Sequence, residues 1–286
     1  MRFSDLNTSQ KVLLMLANNI SVPLVVSYDN APNEFTHYFT KTLNRQEWDY
    51  TIIGEGDVWQ GWQTRMKAYR DYLYTLPDDK IVVLSDARDV VCVRSPKTFM
   101  DAFQSFNKDI VACMELICAQ TFEQPTATHA LANCQPLHAY WKYHGVTTLP
   151  KRKFVNAGLL SGKAKALKVY FDWAIQNDFK DDQLALGNYL NAFPQHIAAD
   201  HDASMLHTTN FALNAGVKDI HRQKHDAPTF AELFGRGAFF LHLSGANNPG
   251  QKIIFEFVRM MLDAGACDTT IGKPYKYAEP KWNEIF

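Results

Sequence analysis

The chain has 286 residues, 47% of them hydrophobic and 13% aromatic, and a formal charge of -1. Such a composition excludes a disordered or fibrous chain and suits one large α/β domain, expected over residues 1–286 with its core within 20–262. A near-neutral charge excludes broad nucleic-acid or anionic-membrane binding, and no apolar run is long enough to cross a bilayer.

Strands and helices alternate along the chain. Val22 to Tyr28 reads as a strand and Asn33 to Asn44 as a helix. Tyr50 to Gly54 is a second strand. Trp62, Met66, Tyr69, Leu73 and Leu76 recur at helical spacing over Gly61 to Leu76. Lys80 to Ser85 is a third, buried strand. Ser95-Pro96 opens a helix, with Ser as cap and Pro in the first turn. Asp109 to Met114 is a fourth strand. Gln120 to Lys153 is irregular, punctuated by Pro125, Pro136 and Pro150. Lys153 to Gly162 is strand-like, Lys163 to Asn177 is a helix, and Asp181-Asp182-Gln183 opens another. Ala238 to Leu243 is a late buried strand, and Asn248-Pro249 starts a helix to Leu262. This order predicts a mainly parallel sheet with helices on both faces.

The chemistry gathers where strands end. Asp86 and Asp89 follow the buried strand Ile81 to Leu84, where open α/β sheets bind ligands. Two carboxylates there suit a divalent cation, although an Asp after a strand is also an ordinary turn residue or helix cap. His242 lies inside an apolar strand and precedes Ser244-Gly245, a turn that brings backbone close to phosphate oxygens; a core histidine is the plainer alternative. Asp181 and Asp182 are either a helix cap or carboxylates that face a sugar hydroxyl. Asn156 and Gly158 offer an amide and a close backbone, or a simple turn. Lys151-Arg152-Lys153 reads as a solvated face, with help in holding an anionic ligand as the alternative. His221 and His225 have the spacing of a helical metal pair but sit among basic residues.

Taken in order, G-E-G-D-V-W-Q-G-W-Q, S-D-A-R-D-V, F-V-N-A-G-L, D-D-Q-L and H-L-S-G resemble the glycosyltransferase domain of the procollagen lysyl hydroxylases. The resemblance runs from about Tyr50 to Gly250. It implies a GT-A fold and sugar transfer from a UDP-sugar to a hydroxyl of a glycan or glycoprotein, assisted by Mn²⁺ or Mg²⁺. It implies Asp86, Asp89 and His242 as metal ligands, and Asp182, Asp181 and Glu115 as catalytic carboxylates. The implied donor contacts are Ser27, Gln63, Arg65, Asp86, Arg88, Asn156, Gly158 and Gly245. Arg88 replaces the family's aromatic between the two metal-binding aspartates, and Thr64 replaces its lysine, with Arg65 or Lys67 left for the phosphate. A glycan-binding module without turnover and a metal-dependent phosphohydrolase are the competing classes; the intact D-A-R-D and D-D-Q segments disfavour the first, and Arg88 two residues after Asp86 disfavours the second.

The five cysteines form no C-x-x-C pair and fit reduced thiols. The N-terminal apolar run, Val12 to Ala17, is too short for a secretory signal. The expected location is the cytoplasm, that of the host if the chain is viral; the resemblance extends to free-standing relatives of this size that occur in large DNA viruses.

Overall fold

The computed structural model describes residues 22–115, 137–208 and 237–244. Nine strands occur among them: β1 (Leu24–Tyr28), β2 (Asp49–Ile53), β3 (Ile81–Asp86), β4 (Val90–Cys92), β5 (Ile110–Glu115), β6 (Phe154–Lys163), β7 (Ile197–Asp200), β8 (Leu206–Thr208) and β9 (Phe240–His242). The helices are α1 (Glu34–Arg45), α2 (Trp62–Tyr74), α3 (Phe99–Ser105), α4 (His138–Tyr143), α5 (Ala164–Gln176) and α6 (Asp182–Ala192), with a 3₁₀ turn over Pro96–Thr98.

Six strands make the main sheet, in the order β2-β1-β3-β6-β5-β7. β1 runs parallel to β2 and β3, β7 runs parallel to β5, and β6 alone is reversed against both β3 and β5. The expected mainly parallel α/β sheet is therefore present. Alternate side chains of one strand enter opposite layers, as a period of two requires. Val25, Ile81 and Val83 pack with Phe39 and Leu43 of α1 and Phe99 and Phe103 of α3. Val26, Val82 and Leu84 pack with Met66 and Leu73 of α2, Leu167 and Phe171 of α5, and Leu186 of α6. Both faces are covered, so these strands carry successive apolar residues, Leu24–Val26 and Ile81–Leu84, rather than an alternating pattern. Ile81 to Leu84 are all buried. At about 1.5–3 kcal/mol for each buried side chain, they hold a strand that ends on an aspartate.

Local signals set the helix starts. Asn33 caps α1 by accepting from Phe35 N at 2.9 Å, and Thr36 completes a capping box. Asp181 caps α6 by accepting from Leu184 N at 2.7 Å. Gly61, at φ 103°, turns the chain into α2, a conformation costly for any side chain with a Cβ. Ser95 makes no side-chain cap bond, because the chain there enters the 3₁₀ turn with Pro96 in its first turn before α3 begins.

A second sheet, β4-β9-β8, stands beside the first. β4 is antiparallel to β9, with Val90 opposite His242, and β8 is parallel to β9. Trp48 anchors this sheet to the main layer: it packs edge-on to Phe99, Phe239 and Phe240 and donates Nε1–H to Arg94 O at 2.7 Å. β4, β7 and β8 are three or four residues long, too short to show a period in sequence. The helix expected from Asn248 lies outside the described residues.

β6 carries an irregularity that matters for the site. Ala112 pairs with Leu160, but the next residue, Cys113, pairs with Asn156. Ala157, Gly158 and Leu159 therefore bulge away from β5. Bulges re-aim side chains, and here Asn156 and Gly158 turn toward the ends of β3 and β9.

Candidate active site

Asp86 closes β3, Asp89 precedes β4 and His242 closes β9. The β4–β9 register and a bond from Leu243 N to Asp89 O of 2.6 Å hold the last two together. His242 Nε2 lies 3.3 Å from Asp89 Oδ2 and 3.5 Å from Asp86 Oδ2. One ligand atom from each residue lies within 4.8 Å of the others. Hard carboxylate oxygens with one imidazole nitrogen suit a divalent cation of the Mn²⁺ or Mg²⁺ kind. Burial pulls the imidazole toward its neutral form, but Asp89, Asp86 and Glu115 outweigh it and raise its pKa.

The rear of the histidine is fixed by a chain of amides. Glu115 is fully buried. Its Oε2 accepts from Asn156 Nδ2 at 3.0 Å and its Oε1 from Gln183 Nε2 at 3.1 Å. An acceptor carboxylate thus turns the Asn156 NH₂ toward itself and the Asn156 carbonyl toward the site. That carbonyl accepts from Gly158 N at 2.9 Å and faces His242 Nδ1 at 2.8 Å. Nδ1 then carries the proton and Nε2 is the face presented to the carboxylates. Gly158 is needed for space. A Cβ on it would stand 2.6 Å from His242 Nδ1 and 2.8 Å from Asp86 Oδ2.

The other flank is ionic. Arg65, only 7% exposed, pairs with Asp86 Oδ1 and with Asp182 Oδ2, and its guanidinium covers the Trp62 ring at 4.7 Å. Burial disfavours the guanidinium charge, yet Asp182 and Asp86 raise its pKa further than burial lowers it. Burial pushes the Asp182 carboxyl up to about 6, against the pull of Arg65. Both Arg65 bonds to Asp182 fall on Oδ2. Oδ1 carries no hydrogen bond among the described residues.

The structure thus brings together Asp86, Asp89, His242, Asn156, Gly158, Arg65 and Asp182. Ser27 is fully buried in the middle of the sheet, opposite Ser85 and Ile52. Arg65 is paired with two carboxylates. Glu115 lies behind His242, joined to it through Asn156. Gln63 ties α2 to the turn before α6, donating to Asp178 Oδ1 at 3.0 Å and Phe179 O at 2.9 Å. Asp181 is the cap of α6. Arg88 pairs with Asp29, its Nη2 2.6 Å from Oδ1. Arg152 is 4% exposed, not part of a solvated face; it donates to Thr208 O at 2.8 Å and lies 2.7 Å from His207 Nε2, pinning the end of β8. Gly245, His221 and His225 lie outside the described residues. Asp29 was missed, although it follows β1 as Asp86 ends β3; the same strand-end signal marks both.

The sequence model of the family described as PLOD GT domain matches residues 21–232, well over half of the chain. Among solved structures, the chain is similar to a glycosyltransferase involved in the glycosylation of the major capsid of PBCV-1, at 13% identity and a TM-score of 0.45, over 82% of this chain and 98% of the other. It is also similar to 4-diphosphocytidyl-2C-methyl-D-erythritol synthase from Anaerococcus prevotii, at 8% identity and a TM-score of 0.33, over 63% of this chain and 88% of the other. No curated protein matches it.

Proposed function

The chain belongs to the PLOD GT domain family, a family of glycosyltransferase domains, and from that premise we propose that it moves a sugar from a UDP-linked donor to a hydroxyl of a glycan or glycoprotein, with Mn²⁺ or Mg²⁺ as cofactor. The observation that carries this reading is the convergence of Asp86, Asp89 and His242 Nε2 from three separate strand ends.

Those three residues would hold the cation. When bound, it supplies Lewis-acid neutralisation of the charge that builds on a leaving diphosphate. The chain's own groups prepare the site. Asn156 fixes the tautomer of His242, Gly158 leaves room for the ring, and Arg65 holds Asp86 by Oδ1 so that Oδ2 faces the cluster. For an inverting transfer the acceptor hydroxyl must lose a proton. We assign that proton to Asp182 Oδ1, on a carboxyl raised to about 6 and so ionised but basic at neutral pH. Glu115, with both oxygens held by amides, acts as a positioning residue. We place the whole chain in one catalytic domain. Among the described residues no helix is long and apolar enough to cross a membrane. The buried free thiols Cys92 and Cys113 fit a reducing cytoplasm, where we locate it.

The test is UDP release from a panel of nucleotide sugars, with and without Mn²⁺, by the wild type, Asp86→Ala and Asp89→Ala. Release that depends on Mn²⁺ and falls about a hundredfold or more in each variant is expected. Equal release by all three proteins would remove the metal site from the mechanism.

A further inference from the structure

Asp86 stands where two ladders end. Ser85, opposite Leu159, is the last residue of β3 paired with β6, and Tyr28 opposite Asp86 is the last pair with β1. Beyond this point strand pairing no longer fixes the chain. The direction of the Asp86 carboxylate then depends on what holds its side chain and the two peptide planes that flank it.

Tyr69 of α2 holds the first plane. Its hydroxyl donates to Ser85 O at 3.0 Å and accepts from Tyr28 N at 3.2 Å. Ser85 O belongs to the peptide unit whose nitrogen is that of Asp86. One phenol oxygen therefore joins the last residue of β1 to the plane that enters Asp86. A phenol has one proton to give and lone pairs to accept with, so both bonds are met at once. Burial pushes its pKa up, and the proton stays in place. The ring is buried and packs on Phe171 of α5, with centroids 5.9 Å apart. A phenylalanine would fill the same space, so packing alone does not account for the hydroxyl. The second plane is held by Ser85, whose Oγ donates to Asp86 O at 2.8 Å. Arg65 holds the side chain, and it lies four residues before Tyr69, on the same face of α2. α2 therefore reaches Asp86 twice, one turn apart: with a guanidinium at the carboxylate and a phenol at the backbone.

We propose that Tyr69 and Ser85 are positioning residues of the cation site, fixing the peptide planes on either side of Asp86 so that its carboxylate meets the ion in one direction. This rests on the cation reading of Asp86, Asp89 and His242 above and extends it to two hydroxyls that touch neither the ion nor a substrate.

The experiment is calorimetric titration with Mn²⁺ alone, on the wild type, Tyr69→Phe, Ser85→Ala and Tyr72→Phe, with a thermal melt of each. Tyr69→Phe keeps the ring on Phe171 and removes only the oxygen. Tyr72→Phe is the control: it removes a hydroxyl from the same helix, one that donates to Thr51 Oγ1 at 3.1 Å in β2 rather than to the residues around Asp86. Tyr69→Phe is expected to bind Mn²⁺ about tenfold more weakly, as when an outer partner of a metal ligand is lost. Ser85→Ala should lose about two- to tenfold, the worth of one hydrogen bond. Tyr72→Phe should bind Mn²⁺ as the wild type does. Wild-type affinity in Tyr69→Phe would overturn the proposal, and so would an equal loss in Tyr72→Phe, which would make the effect one of helix docking in general. If the melt shows that Tyr69→Phe does not fold, Ser85→Ala decides, and unchanged affinity there overturns the proposal. Wild-type protein that binds no Mn²⁺ at all would instead sink the cation reading, and the two positioning roles with it.

Discussion

Two flanks of one metal cluster handle carboxylates in opposite ways. On the β1–β3 flank, Asp86, Asp182 and Asp29 are each bound by a guanidinium, from Arg65 or Arg88. On the β5–β6 flank, Glu115 is bound by the neutral amides of Asn156 and Gln183. On the ionic flank the cations are matched to the resident carboxylates at the strand ends. The amide flank faces inward, where orientation is what counts: Glu115 accepts from both amides and so turns Asn156. Buried polar groups are thus matched by cations on one flank and by dipoles on the other.

Substitutions that cross the two modes test this contrast. Arg65→Met should have the largest effect, about 3–5 kcal/mol lost in urea unfolding, because Asp182 is left buried without its cation. If Arg65→Met costs no more than a change on the amide flank, the contrast is empty. Glu115→Gln should cost less, about 1–3 kcal/mol, since one amide must then face the Asn156 NH₂. Its sharper signature is a ten- to hundredfold weaker Mn²⁺ affinity by calorimetric titration, of the order seen when outer-sphere partners of a metal-binding histidine are lost. Metal affinity that stays at the wild-type value would detach Glu115 from the site. The smallest effect is expected at Asp29. Burial raises its pKa, but Arg88, Thr36 and the Ala31 amide together hold it below the ordinary value of 3.8. A depressed carboxyl stabilises the fold fully above 3.8, and this is lost as pH falls through the lower folded value. Wild type should therefore exceed Asp29→Asn by about 1 kcal/mol at pH 7, with half-exposed Arg88 limiting the gain, and the gap should close on acidification. A gap that widens in acid would mean that Asp29 is not held as the anion.

Much of the frame could be read from the chain. β1 and β3 open on the apolar runs Leu24–Val26 and Ile81–Leu84, α1 and α6 begin beside Asn33 and Asp181 where helices were expected, and the acids at the end of β3 advertise themselves by interrupting a core strand. His242 was readable for the same reason, as an imidazole among Phe240, Leu241 and Leu243. The partners of these residues were not. Arg65 meets Asp182 across 117 positions, Asn156 meets His242 across 86, and Arg88 meets Asp29 across 59. Periodicity and capping are local signals, and none of them reports a pairing made by strand order. The pairing of Glu115 was hidden in the same way: its place in β5 was visible, but not the bulge in β6 that turns Asn156 onto it. The error over Arg152 is similar, since a basic triplet looks hydrated until β8 is known to lie against its middle member.

The reversed strand β6 ties these parts into one mechanical unit. It is laddered to β3 along Ile81–Ser85 on one edge and to β5 along Ile110–Glu115 on the other. The cluster's first aspartate and the glutamate behind its histidine therefore ride on a common backbone splint, unable to slide past each other without breaking two ladders. Amide exchange along β6 should be among the slowest in the protein, and catalytic breathing is left to β4, β9 and the side chains they carry.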